Sequence, residues 1–297
     1  MTYAYDGEQF SKWAVETDVT ILGAQQRDGN VDGYGSVAIE VKSPATWFSG
    51  DALKEVGFVA GLLTSKYVLA VNETMGLHCH VGNGVESFEF DTMRKLIAFL
   101  WGFEPQLNSL HPQSRFNREW AGSLRYSSYY AQRTFRTRGS RPRALEGVAH
   151  FLTLKDWRAL SEDTMGSVCG RLSVRWAGIA AKAIQGFVDE GGKKTVEFRQ
   201  HIGSVDGEDI KNWIRTCVGI VGFILDTDIL KLKMLFEILQ HEVPEDLDGA
   251  TGEPVLAETE FTIIDLLRTM ELYIPALYYR QKGIYKVRKE LQPGREQ

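Results

Sequence analysis

Apolar residues recur along the chain with two different periods, and these periods predict a mixture of strands and helices. A period of two, or a short β-branched run, predicts strands over residues 36–41, 66–71, 76–82, 171–176 and 195–201. A period of three to four predicts helices over residues 6–16, 51–64, 91–103, 206–225, 228–241, 260–270 and 272–283. Because strands and helices alternate irregularly rather than in a regular βαβ order, the pattern indicates an α+β fold with a mainly antiparallel sheet.

Segments of other composition separate these elements. Glycine and asparagine predict a turn over Asp28–Gly35, and proline and glycine predict a loop over 244–254. Residues 123–147 are locally basic and read either as a solvated loop or as a cover over an anionic ligand. Their arginines are Arg125, Arg133, Arg136, Arg138, Arg141 and Arg143. Residues 1–285 are expected to form a single domain, followed by a frayed C-terminal tail over 286–297.

Two histidines share one face of the strand predicted over 76–82. His78 and His80 are two residues apart, so their imidazoles project to the same side, while Cys79 between them faces the core. Imidazoles that project together from a strand can bind a metal or contact a phosphate, but they can also line a wet strand face.

The strand over 195–201 carries a second polar face. Glu197, Arg199 and His201 share it, with apolar residues behind. An ion-pair row is one interpretation of this face. However, Glu40 also lies within an apolar strand, and charges on an apolar background are exposed, paired or bound to a cation. Carboxylate and imidazole ligands beside an arginine suit a divalent metal that bridges phosphate oxygens.

Composition limits the classes of binding partner that the sequence predicts. The formal charge is −5, from 34 basic and 39 acidic residues, so there is no broad basic field that would favour nucleic acid. No apolar run approaches the roughly 20 residues that span a bilayer, so no membrane partner is expected. The three cysteines have no CxxC spacing, which fits a reducing, cytoplasmic setting.

Four segments in fixed order resemble the amidoligase family of fungal type. They read VAIEVKSP (37–44), GLHCHVG (76–82), LHPQSRFN (110–117) and TVEFRQH (195–201), and Gly203–Asp206 and Trp213 follow them. These amidoligases are carboxylate–amine ligases of the glutamine synthetase and glutamate–cysteine ligase superfamily. Glutamine synthetase itself is similar, with E-V-x-P, G-M-H-x-H and E-x-R strands around its metal and nucleotide site. The resemblance extends from about residue 13 to residue 225.

The resemblance implies a glutamine synthetase-like catalytic fold, in which helices 51–64, 91–103 and 206–225 back a curved sheet. It implies that the concave face of this sheet carries Glu40, His78, His80, Glu197 and Arg199. By the same resemblance Glu40, His78 and Glu197 are metal ligands, and His80 contacts metal, nucleotide or substrate. Arg199 and Arg115 are then the catalytic arginines that bind nucleotide phosphate and the transferred phosphoryl group.

The implied reaction uses ATP with Mg²⁺ or Mn²⁺ to convert a carboxylate into an acyl phosphate, which an amine attacks to form an amide. The substrates would be small-molecule or peptide carboxylates and amines. Members of the family usually begin with a G-x-E-x-E strand, and none is expected in this chain. A degenerate ligase fold that binds a nucleotide or a partner without turnover is therefore the alternative.

Two other metal sites share part of this pattern. His78-x-His80 with Glu86 imitates a cupin motif, but its spacing is long and the predicted helices do not suit an all-β barrel. Two histidines and a carboxylate can also hold zinc in a hydrolase. The nearby Arg199 and Arg115 favour phosphate chemistry instead.

Overall fold

A computed structural model describes most of the 297-residue chain. The described residues are 10–18, 20–21, 37–84, 86–112, 115, 121–164, 173–176, 194–242 and 260–283. The predicted turn over Asp28–Gly35, the loop over 244–254 and the tail over 286–297 lie outside them. The described residues up to Leu77, together with Ile202–Lys211, form one compact unit, and the others form a second.

The first unit contains a two-stranded antiparallel sheet. Strand β1 (Ala14–Thr17) pairs with β2 (Ile39–Lys42), and the register places Glu16 directly opposite Glu40. The predicted helix over 6–16 is therefore wrong in its described part, because residues 14–17 are extended. The indole Nε1 of Trp13 donates to Glu55 Oε1 at 2.6 Å, so its polar edge has a partner in the following helix.

That helix, α1 (Gly50–Lys66), confirms the prediction over 51–64. Ser49 caps it by accepting a hydrogen bond from the backbone N–H of Ala52 at 3.1 Å, which satisfies one of the donors that a helix start leaves open. The strand predicted over 66–71 is wrong, since α1 continues through Lys66 and no strand follows in residues 67–72. The side chain of Val68 is fully exposed, so its β-branched run has no partner strand to pack against.

The second sheet has three strands. Strands β3 (Gly76–Gly82), β4 (Val174–Arg175) and β5 (Thr195–Ile202) lie in the order β3-β5-β4, so β5 is central. Strand β4 is antiparallel to β5, with Arg175 opposite Glu197. Toward β3, His78 contacts Arg199 and His80 contacts Thr195, so these strands also run in opposite directions. The predicted strands over 76–82 and 195–201 are thus confirmed.

Helices make up most of the second unit. They are α2 (Phe90–Gly102), α3 (Glu104–Asn108), α4 (Leu124–Ser127), α5 (Tyr129–Arg138), α6 (Ala144–Thr153), α7 (Trp157–Thr164), α8 (Gly207–Asp226, which begins in the first unit), α9 (Ile229–Phe236), a 3₁₀ helix (Glu237–His241), α10 (Ile263–Thr269) and α11 (Tyr273–Lys282). The predicted helices over 91–103, 206–225, 228–241, 260–270 and 272–283 are confirmed to within a few residues.

Helix α2 forms the centre of the core. Met93, Leu96, Ile97 and Trp101 are fully buried along it, and each contributes roughly 1.5–3 kcal/mol by leaving water. Helix α6 packs so closely on α2 that a Cβ at Gly147 would overlap the ring of Trp101. This close approach explains why a glycine stands in the middle of α6.

Helix α8 packs behind the three-stranded sheet. The ring of Trp213 contacts Phe198 of β5 edge-on, and the thiol of Cys217 neighbours that of Cys79. Burial raises the pKa of the Cys217 thiol, and the neighbouring Cys79 raises it further. Cys79 is a buried free thiol on the face away from the histidines, as predicted.

The arginine-rich stretch 123–147 is not a loop. It folds into α4, α5 and the start of α6. Arg125 is buried and donates from Nε and Nη2 to the last carbonyls of α2, at Trp101 and Gly102, while Nη1 pairs with Glu242 at 2.9 Å. This arginine therefore supports the end of a helix. A role of the stretch as a cover over an anion stays a prediction.

These observations confirm the α+β class with small antiparallel sheets. The described helices also argue against the all-β barrel of a cupin. The curvature of the sheet, the glutamine synthetase-like fold and the single domain over 1–285 stay predictions. Among the described residues, no helix is both long and apolar enough to cross a membrane.

Candidate active site

Strand β3 presents two imidazoles on one face. His78 and His80 are partly exposed, whereas Cys79 and Val81 between and beyond them are buried on the other face. The glycine at each end of the strand is exposed. The alternation read from the sequence therefore holds from His78 to Gly82 of β3.

The central strand β5 presents a buried carboxylate and a buried guanidinium beside them. Glu197 and Arg199 are 7% and 4% exposed, and Val196 and Phe198 pack behind them with no exposure at all. The guanidinium of Arg199 donates from Nη1 to Glu197 Oε1. Because charges this deeply buried are costly when unpaired, this ion pair allows both to remain ionised.

The β3 and β5 side chains meet around one carboxylate oxygen. Oε1 of Glu197 lies 3.5 Å from Nδ1 of His78 and 3.7 Å from Nε2 of His80. Nδ1 of His78 is also 3.5 Å from Nη1 of Arg199. The structure thus brings together four of the predicted site residues within one unit.

Opposing effects set the protonation of this cluster. Burial raises the pKa of Glu197, but the nearby His80, Arg199, His78 and Arg175 outweigh burial, and the pKa ends below its usual value. Burial, with the positive charge of Arg199, lowers the pKa of His78 to about 4. At neutral pH Glu197 is therefore a carboxylate and His78 a neutral imidazole, which are the forms that bind cations.

Arg115, the fifth predicted residue, adds a second buried guanidinium. Its Nη2 donates to the backbone carbonyl of Arg199 at 3.1 Å, and the residue is only 5% exposed. Its Nε is buried without a hydrogen-bond partner, and no carboxylate of the described residues forms an ion pair with it. Burial, reinforced by Arg199, lowers the pKa of Arg115 to about 10. A buried cation without a counter-ion is a place where an oxyanion would be stabilised.

The sixth predicted residue, Glu40, lies in β2 of the first unit. Its carboxylate is 42% exposed and pairs with Lys42 at 3.2 Å, and Lys42 also pairs with Glu16 at 2.5 Å. The role of Glu40 as a metal ligand beside His78 and Glu197 stays a prediction.

Strand β1 bears on the prediction that the chain lacks the G-x-E-x-E strand with which members of the family usually begin. It reads Ala14-Val15-Glu16-Thr17 and is followed by Asp18, whose backbone N–H donates to Ala38 at 3.2 Å and so continues the pairing. Glu16 and Asp18 are two residues apart, as are the acids of G-x-E-x-E, with alanine in place of the glycine. Reading 6–16 as a helix concealed this spacing.

The described residues contain no group of three or more histidine, cysteine or acidic side chains with the geometry of a metal site. Around Glu197 the donor types, one carboxylate and two imidazoles, fit a divalent cation. Their separations of 3.5 and 3.7 Å and the ion pair with Arg199 show that these side chains would have to move closer together to share one ion.

Sequence reasoning missed two residues of this cluster. Arg175, opposite Glu197 on β4, approaches Glu197 Oε2 to 3.4 Å, so guanidiniums flank the carboxylate on two sides. Thr195 hydrogen-bonds to Nδ1 of His80 at 3.0 Å. The period of two already placed Thr195 on the face of Glu197, whereas the pairing of β4 with β5 cannot be read from either strand alone.

A second group of polar rings lies around Trp213. His111 is 5% exposed, and its ring contacts His201 and Trp213 edge-on, with centroids 5.0 and 4.9 Å away. Burial, with His201 and Arg115 nearby, lowers the pKa of His111, so its ring stays neutral. His111 therefore contacts β5 at His201, and it lies four residues before Arg115 in the chain.

Comparison with known proteins agrees with the resemblance of the four segments. A family model described as "Putative amidoligase enzyme" matches residues 1–221, a range that includes β1, β2, β3 and β5. No curated protein and no solved structure matches the chain. Since the family model covers well over half of the 297 residues, the chain belongs to the amidoligase enzyme family.

Proposed function

We propose that this protein is an ATP- and Mg²⁺-dependent carboxylate–amine ligase of the fungal amidoligase type, within the glutamine synthetase and glutamate–cysteine ligase superfamily. Membership of the amidoligase family supports a ligase. The observation that carries the finer proposal is the β3–β5 cluster, in which imidazoles and a carboxylate adjoin two buried guanidiniums, those of Arg199 and Arg115. Cation ligands beside oxyanion-binding groups are what transfer of a phosphoryl group from a metal-bound nucleotide requires.

In the proposed reaction a substrate carboxylate oxygen attacks the γ-phosphorus of ATP, and the bond from that phosphorus to the β,γ-bridging oxygen breaks. ADP leaves and an acyl phosphate forms. The amine nitrogen then attacks the acyl carbon, phosphate leaves, and the nitrogen loses a proton to give the amide. Mg²⁺ or Mn²⁺, when bound, would supply charge neutralisation on the phosphate oxygens.

The residues of the cluster have separate tasks in this proposal. Glu197, as a carboxylate, and His78, as a neutral imidazole, would hold the cation. Arg199 and Arg115 bind the phosphoryl oxygens, where negative charge develops in the transition state. Because Arg115 is buried without a carboxylate partner among the described residues, its full charge is available to a phosphate. His80 remains a contact to cation, nucleotide or substrate.

The proposed ligand set includes one carboxylate of the first unit, on the strength of the family resemblance alone. Glu40 is the predicted third ligand, and Glu16 stands opposite it on β1. The substrates remain of the class predicted above, small-molecule or peptide carboxylates and amines, in a cytoplasmic setting.

A binding protein without turnover is the second candidate. The ion pairs of Glu197 with Arg199 and Arg175 favour it, since they occupy the carboxylate that would otherwise ligate a metal. Strand β1 supports the enzyme, because Glu16 and Asp18 have the spacing of the two acids in the G-x-E-x-E strand of the family.

Release of ADP separates the two candidates. The purified chain is incubated with Mg-ATP and a panel of amino acids as carboxylates, paired with small amines and ammonium. We expect ADP release that requires both substrates, and its loss in Glu197→Ala and His78→Ala. Glu146→Gln, an exposed change on α6, is the control and keeps full activity. Full activity of both site variants would refute their assigned roles, and nucleotide binding without ADP release would favour the binding protein.

A further inference from the structure

Ser173, the residue before β4, carries a buried hydroxyl on the face of the sheet that bears the cluster. The residue is 2% exposed, and its Oγ has no hydrogen-bond partner among the described residues. Arg175 lies opposite Glu197 in the register of β4 and β5. Two residues earlier, Ser173 therefore lies opposite Arg199, whose backbone N–H donates to the Ser173 carbonyl at 2.8 Å. Directly opposed side chains share a face of the sheet, so the hydroxyl lies on the side of Arg199.

The pairing of Ser173 with Arg199 lacks the second hydrogen bond of a regular ladder. In an antiparallel sheet the two residues of a hydrogen-bonded pair exchange both N–H···O bonds. Here the Ser173 N–H donates to the carbonyl of Gly122 at 2.7 Å instead. The Arg199 carbonyl accepts from Nη2 of Arg115 at 3.1 Å. The Arg115 guanidinium thus takes the place that the Ser173 N–H would have in a regular ladder, which puts it beside Ser173.

Ser173 and Arg115 each bring an unpaired polar atom to this position. Nε of Arg115, like Oγ of Ser173, is buried without a hydrogen-bond partner among the described residues. Buried polar atoms of native proteins almost always have a partner in protein, water or ligand. A hydroxyl donor and an N–H donor that belongs to a buried cation are groups that bind an oxyanion.

We propose that Ser173 and Arg115 form an oxyanion site, in which the Ser173 hydroxyl donates to an oxygen of the phosphate group that the Arg115 guanidinium binds. The arginine supplies the charge, and the serine adds a directed hydrogen bond. The inference makes Ser173 a substrate-contacting residue of the ligase, and to that extent it rests on the proposed function. Binding of a phosphate group by these two side chains itself requires neither a metal ion nor turnover.

The first test separates this role from a structural one. A buried hydroxyl without a partner costs free energy, so Ser173→Ala should leave the midpoint of thermal unfolding unchanged or raise it in phosphate-free buffer. Ser123→Ala is the matched control, because Ser123 is 6% exposed and its Oγ donates to Glu104 Oε2 at 2.6 Å. That change removes a donor from a buried carboxylate, and we expect it to lower the midpoint.

The second test measures the binding of inorganic phosphate by isothermal titration calorimetry, without metal or nucleotide. We expect Ser173→Ala to weaken binding about 10- to 100-fold, the range for a hydrogen bond to a charged group. Ser173→Thr, which keeps the hydroxyl, should stay within a few-fold of the wild-type affinity. Arg115→Gln should abolish binding, because it removes the charge, and Ser123→Ala should bind phosphate as the wild-type protein does.

The outcomes separate this inference from the ligase proposal. Unchanged phosphate affinity in Ser173→Ala, or a loss of thermal stability as large as that of Ser123→Ala, overturns the role of Ser173. A wild-type protein that binds no phosphate overturns it as well. If Ser173→Ala weakens phosphate binding but no substrate pair gives ADP release, the oxyanion site stands and the ligase proposal fails. ADP release with unchanged kinetics in Ser173→Ala leaves the ligase proposal intact and removes the inference.

Discussion

The two acidic strand pairs of this protein place the same residue type at very different depths. On β1 and β2, Glu16 and Glu40 face each other with 48% and 42% of their side chains exposed. On β5, the side chain of Glu197 is 9% exposed and is held by Arg199, Arg175 and two imidazoles. Water surrounds the first two carboxylates, whereas the protein itself must stabilise the charge of the third one.

This difference indicates which of the carboxylates has a role beyond folding. An exposed carboxylate needs no partner, so its ion pairs reveal little about function. A buried carboxylate between guanidiniums is costly to maintain, and replacing such groups with apolar ones often stabilises a protein. The β3–β5 cluster is therefore the region whose composition folding alone does not explain.

The largest expected effect comes from removing the buried carboxylate. Glu197→Gln removes the carboxylate that pairs with the buried Arg199, and we expect a loss of about 3–5 kcal/mol in the free energy of unfolding. Glu40→Gln removes a half-exposed partner of Lys42 and should cost about 1 kcal/mol or less. Urea unfolding of both variants at pH 7 measures the difference. Equal losses would show that the two strand pairs do not differ as described.

The next largest effect concerns the two arginines that flank Glu197. Arg199 is 4% exposed, whereas the side chain of Arg175 is 41% exposed and 3.4 Å from the carboxylate. If Arg199 binds the transferred phosphoryl group, Arg199→Lys should lower kcat for ADP release about 10²- to 10³-fold. We expect Arg175→Lys to change it only a few-fold. A larger loss in Arg175→Lys than in Arg199→Lys would show that Arg199 is not the arginine that binds the phosphoryl group.

The stability of the protein should depend on pH through His78. Its folded pKa of about 4 lies below the usual 6.5, so between these values the unfolded chain binds more protons. Stability is therefore complete above pH 6.5 and falls as pH drops toward 4, by at most about 3 kcal/mol. Below that, protonation of Glu197, whose pKa is also lowered, removes more. When the free energy of unfolding is plotted against pH from 4 to 7, the slope should be smaller in His78→Gln than in the wild-type protein. The slope should be unchanged in Glu40→Gln.

The smallest effect is expected at the exposed pair. Lys42 bridges Glu16 and Glu40, and Lys42→Met should cost about 0.2–1 kcal/mol at low salt. Added salt should remove the difference, because exposed ion pairs are screened. Lys54→Met, which breaks the fully solvated pair with Asp51, is the control and should cost less. A salt-independent loss at Lys42 would mean that this pair is better shielded from solvent than its exposure indicates.

Where a local period decided the structure, sequence reasoning correctly predicted which side chains share a strand face. The alternation of His78 with Cys79, and of Glu197 with Phe198, fixed which side chains share a face before any pairing was known. Helix α8 was predicted by the same logic, because its buried stripe recurs every three to four residues.

Where pairing partners are distant, sequence reasoning failed. Residues 10–16 carry apolar groups at a helical spacing, but β2, more than twenty residues later, draws residues 14–17 into a strand. The run 66–71 is β-branched but has no partner strand, so its propensity was not realised. Arg125 looked like part of a basic surface, and only the fold shows that it caps α2 and pairs with Glu242.

The transfer of ¹⁸O from a labelled substrate carboxylate tests the central claim most directly. If the β3–β5 cluster catalyses amide formation through an acyl phosphate, the phosphate released with Mg-ATP, carboxylate and amine carries one ¹⁸O for each amide formed. Transfer should be lost in Glu197→Ala and kept in Glu146→Gln. Amide formation that releases only unlabelled phosphate would contradict the account.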